Sequence, residues 1–105
     1  MIANNVLKCF ADSESLLTEF RMILEDCRRL NPAGALDHLN VGASEASDVY
    51  NLAVTAYRKG VISRADLTAA MQLAEAWLAL DDEVLTLVSD AIPVVRRTKS
   101  ENMMH

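Results

Sequence analysis

The stretch YRKGVISRADL, Tyr57 to Leu67, is the part of the sequence whose residue types and spacing come nearest to chemistry. Set as a calcium loop with Gly60 at the sixth position, it puts Ile62 eighth and Asp66 twelfth, as in the second half of an EF-hand. The first half does not follow. Thr55, Tyr57 and Lys59 stand where Asp or Asn oxygens must bind the ion, so a hard cation has nothing to hold it. Set as a helix-turn-helix, the stretch has a suitable glycine turn. Its second helix must then offer basic and amide groups to bases and phosphates. Ser63 to Asp90 instead carries one Arg against Asp66, Glu75, Asp81, Asp82, Glu83 and Asp90. The third reading uses every residue. Gly60 stops one helix in the left-handed conformation and Ser63 caps the next. Asp66 is placed to reach back in a capping box, with Ile62 and Leu67 as a hydrophobic staple. The stretch is expected to be a corner between two helices.

Other reactive groups are sparse. The histidines are His38 and His105, and neighbours in sequence such as Asp37 and His38 do not face one another on a helix. There is no glycine-rich phosphate loop, nucleophile elbow or CxxC pair, and no metal-ligand spacing. Cys9 and Cys27 would lie roughly 27 Å apart along a continuous helix, too far for a disulfide. Both are expected as free cysteines on an apolar face. The sequence thus predicts neither an enzyme nor a cofactor.

One charged feature stands out. Asp81, Asp82 and Glu83 form an acidic run with no Lys or Arg within a helical turn in sequence. These three residues are the candidate contacts for a partner with a basic surface, against the plainer role of helix cap and solvated first turn.

The elements that must position these groups are helical. Of 105 residues, 51% are hydrophobic, with three glycines, two prolines and five aromatics, an alphabet poor in strand formers. A first helix is expected from about Ala3 to Leu30, with Val6, Phe10, Leu17, Phe20, Leu24 and Cys27 at helical spacing. Ser13 interrupts that stripe, so ADSES is a candidate break. Glu25 and Arg29 are placed as an i,i+4 pair. NPAG ends the helix. Pro32 opens a short turn or helix, PAGALDHL, closed by Gly42. A helix from about Ser44 to Lys59 is apolar over most of its circumference, which predicts an interior position. The helix starting at Ser63 has a seam of Leu67, Met71, Ala74 and Leu78, continued by Asp81, Leu85, Val88, Ile92 and Val95. The acid in that register predicts a break at LDDE, with Asp81 or Asp82 capping a new helix that Pro93 then kinks.

The expectation is an all-α fold, a compact bundle of four to six helices. It forms one domain over residues 1–98 with a polar tail at 99–105. A net charge of −5 argues against nonspecific nucleic-acid binding and favours docking on a basic protein surface. The sequence shows no secretory signal and no apolar run of the ~20 residues that a membrane span requires. A cytoplasmic protein is expected.

The short MIANNVLKCFADSESLLTEF opening, the lack of a catalytic motif and the DDE run resemble the small, acidic, helical anti-CRISPR inhibitors of type I CRISPR systems. That family shares no diagnostic motif, so no functional residue carries over. The resemblance implies a phage- or mobile-element-encoded inhibitor that binds the crRNA-guided surveillance complex or its recruited nuclease. A bacterial accessory protein is the alternative: a toxin immunity protein, a secretion chaperone or a helical transcription adaptor.

Overall fold

The computed structural model describes residues 2–91, and those residues are all-α, with three α-helices and one 3₁₀ helix. Helix α1 spans Ile2–Leu30, a 3₁₀ segment spans Pro32–His38, α2 spans Val41–Arg58 and α3 spans Arg64–Ala91. The expected four to six helices reduce to three α-helices among the described residues, because neither the alternative break at ADSES nor the expected break at LDDE occurs: α1 runs through ADSES and α3 runs through LDDE. The kink expected at Pro93 and the tail at 99–105 lie outside the described residues.

Each helix buries a stripe with the alternating three- and four-residue spacing of a coiled-coil seam. On α1 the stripe is Val6, Phe10, Ser13, Leu17, Phe20, Leu24 and Cys27. On α2 it is Gly42, Ala46, Val49, Ala53 and Ala56. On α3 it includes Ala70, Ala74, Trp77 and Val84, widened by Leu80 and Leu87. The seam expected for α3 was rotated from this face, since Leu78 and Leu85 are 49% and 50% exposed. A seven-residue repeat drifts by ~20° per heptad around a straight helix. Cys9 and Cys27 therefore part company: Cys27 packs against the core, whereas Cys9 is exposed, contrary to the shared buried face expected.

The small residues of the α2 stripe bring α2 and α3 close together. A β-carbon on Gly42 would lie 2.0 Å from the Trp77 carbonyl oxygen, so only glycine fits there. Gly42 is thus a packing residue in the first turn of α2, two residues before the Ser44 start expected, and not the end of the preceding segment. Helix α2 is also not interior. Tyr50 and Tyr57 are 51% and 42% exposed, because no other helix among the described residues covers its outer side.

Trp77 is fully buried at the centre of the main cluster. Phe20 meets it edge-on with ring centroids 6.0 Å apart, and His38 packs edge-on against Phe20 at 5.4 Å. The indole N–H donates to Ser13 Oγ at 2.9 Å. Ser13 is in the apolar stripe for that reason: it is the acceptor that a buried tryptophan requires. A second cluster of Val6, Ala56 and Ile62 closes the other end of the molecule, where α1 begins and α2 turns into α3.

Candidate partner-binding surface

The corner between α2 and α3 forms as its sequence dictates. Gly60 has φ +73°. Its N–H donates to the Tyr57 carbonyl at 3.0 Å and the Val61 N–H to the Ala56 carbonyl at 2.9 Å, the paired bonds of a Schellman motif. Asp66 N–H donates to Ser63 Oγ at 3.1 Å, and Ser63 N–H donates to Asp66 Oδ2 at 3.2 Å. That is a complete capping box. Ile62 and Leu67 pack into the same end cluster, as a staple must. The Asp66 carboxylate is engaged in the cap, and no group of three His, Cys, Asp or Glu among the described residues is placed to hold a metal ion.

The acidic run has a different geometry from the one its sequence suggests. Asp81 caps no helix of its own. Its carboxylate accepts from the N–H groups of Gly42 at 2.9 Å and Ala43 at 2.8 Å, across the α2–α3 interface. Asn40, the residue before α2, is left-handed at φ 69° and provides no side-chain cap, so Asp81 supplies from α3 the acceptor that α2 lacks. Its negative charge also sits at the positive end of α2. Glu83 accepts from Arg28 Nη2 at 2.7 Å, tying α3 to the end of α1. Charge compensation for the run thus comes from a residue far away in sequence. Arg28 also reaches Glu25 at 3.4 Å, and Arg29 bonds Asp26 at 2.9 Å, so the charge pairs of α1 are i,i+3 and not the expected Glu25–Arg29 pair. Asp82 alone of the three acids is directed to solvent, its backbone carbonyl accepting from Thr86 Oγ1 at 3.0 Å. Successive helical residues point ~100° apart, so the fold does not gather the three into one acidic patch.

It gathers something else. Met71, Leu78 and Leu85 recur every seven residues along α3, at the edge of its buried face. Two exposed acids interleave with them: Glu75 follows Met71 by four residues and precedes Leu78 by three, and Asp82 repeats that spacing between Leu78 and Leu85. All five lie along one side of the helix. Neither acid takes part in an ion pair among the described residues. Beside this row, α2 contributes Tyr50, Ser47 and Ala43, and with Ala46, Ala74 and Leu78 they line a shallow, mostly apolar groove of about 280 Å³. A second groove of about 370 Å³ lies where α1 ends against α3, walled by the Arg28–Glu83 pair, Pro32 and Leu87.

The interleaved row is missed by reading DDE as a unit. The available signal was the seam itself: Leu78 and Leu85 share a register with Asp81, which requires a neighbouring donor and so turns the leucines toward the edge of the core. No helix among the described residues is long and apolar enough to cross a membrane. Comparison of the chain with protein-family models, with curated proteins and with solved structures finds no match.

Proposed function

We propose that this protein is a non-enzymatic protein-binding inhibitor that acts by engaging a basic surface on its partner. The observation that carries the reading is the row on α3, where half-exposed Leu78 and Leu85 alternate with Glu75 and Asp82, acids in no ion pair among the described residues. Apolar side chains held at a surface gain by being covered, and flanking charge selects what covers them. Asp82 keeps the role expected of the acidic run, with Glu75 as its companion. Asp81 and Glu83 hold the helices that present them. The narrower reading, supported by the resemblance in the sequence, is inhibition of a type I CRISPR surveillance complex or its nuclease through such a basic surface.

Capture with tagged protein from a bacterial lysate, read by mass spectrometry, tests both levels. CRISPR subunits recovered in stoichiometric amount are the expected result. A toxin, a secreted substrate or a polymerase subunit would replace the narrower reading, and recovery of no protein above background would remove the broader one.

A further inference from the structure

We infer that the groove between α2 and α3 seats one amphipathic helix of a partner protein, apolar on the face turned inward and basic along its flanks. The inference rests on the protein-binding reading and names the partner's chemistry. Length favours a helix: Met71 to Leu85 covers about 21 Å at 1.5 Å per residue, the reach of four turns, with side chains repeating at helical intervals. The groove lining includes the small residues Ala43, Ala46 and Ala74, which let a helix backbone approach, together with the larger, exposed Tyr50 and Leu78. Apolar anchors of a docked helix at i, i+3/i+4 and i+7 match that spacing.

Charge decides between occupants. Helix α3 carries a single base, Arg64 at its first position, against six acids. A second copy laid along the row in either direction would bring Glu75 and Asp82 against the same acids, an arrangement that opposes pairing. A helix with Lys or Arg flanking its apolar stripe meets Glu75 and Asp82 with complementary charge and gives them partners that no described residue provides.

The test uses the full-length protein and a synthetic peptide of about six helical turns, with leucines at i, i+3 and i+7 and Arg or Lys on both flanks. Two control peptides accompany it, one with Glu on the flanks and one with the same composition scrambled. Fluorescence anisotropy should show saturable binding of the basic peptide alone, weakening as salt rises. Leu78→Glu should reduce affinity at least tenfold. The Glu75→Gln, Asp82→Gln pair, both at exposed positions, should reduce it about threefold to tenfold and flatten the salt dependence. Equal binding of the scrambled peptide, or binding that both variants leave unchanged, would overturn the inference. So would a dimer in sedimentation equilibrium that Leu78→Glu dissociates, which would identify a second copy as the occupant. Cross-links within one monomer from a photoreactive residue at position 78 to residues 94–99 would also overturn it, since the chain would then cover its own groove. If capture yields a partner whose binding ignores Leu78, the protein-binding reading stands and the groove assignment fails.

Discussion

At the scale of single residues, the least conspicuous side chains have the clearest roles. Ser13 looks in sequence like a flaw in an apolar stripe, yet it is the acceptor for the buried Trp77 indole. Ser13→Ala would leave that N–H buried without a partner, a loss of about 1–3 kcal/mol. Urea denaturation should show a lower midpoint at an unchanged slope. An unchanged midpoint would mean that the indole bond contributes nothing to stability. Ser13 was not legible as an acceptor because its partner is 64 residues away. The sequence contains one tryptophan and many hydroxyls, and helical periodicity alone does not match one to the other.

At the scale of helices, Asp81 shows why local rules succeed at one junction and not at another. The Gly60–Leu67 corner is legible because every contact it needs lies within a few residues: a left-handed glycine, a capping serine and the acid three positions on. The α2 start is not, because its cap comes from Asp81 on another helix. The same acid that suggested a break in α3 is the reason α3 can remain continuous, since its charge is satisfied sideways. The all-α class and the extent of α1 were therefore readable from periodicity. The number of helices depended on long-range hydrogen bonds at two residues, one at Ser13 and two at Asp81. Asp81→Ala should destabilise the protein by about 1–2 kcal/mol, the loss of a helix cap. Asp82→Asn, at a solvent-facing position, should shift stability by less than about 0.5 kcal/mol. Thermal melts of the two variants side by side check the assignment. Equal melting temperatures would contradict the division of labour between neighbouring acids.

At the scale of the whole molecule, the three α-helices of the described residues bury one face each and among themselves leave the far side of α2 and the edge of α3 uncovered. Tyr50, Tyr57, Leu78 and Leu85 remain exposed by 42–51% because no further helix among the described residues covers them. That open side, and not the DDE triplet as a block, is where the candidate surface lies. Periodicity pointed to Leu78 and Leu85 but assigned them to the core. The close α2–α3 approach at Gly42, together with the Asp81 bonds to the start of α2, sets which way α3 is turned. The measurement that bears most directly on the protein-binding account is a quantitative capture experiment with three tagged proteins: wild type, Leu78→Glu with Leu85→Glu, and Met22→Glu. Met22 is 66% exposed on α1, away from the row, and serves as the control for an added surface acid. With circular dichroism confirming that all three are folded, the account predicts that wild type and Met22→Glu retain the same partner in equal amount and that the α3 variant loses it. Retention by the α3 variant at the wild-type level would contradict the account.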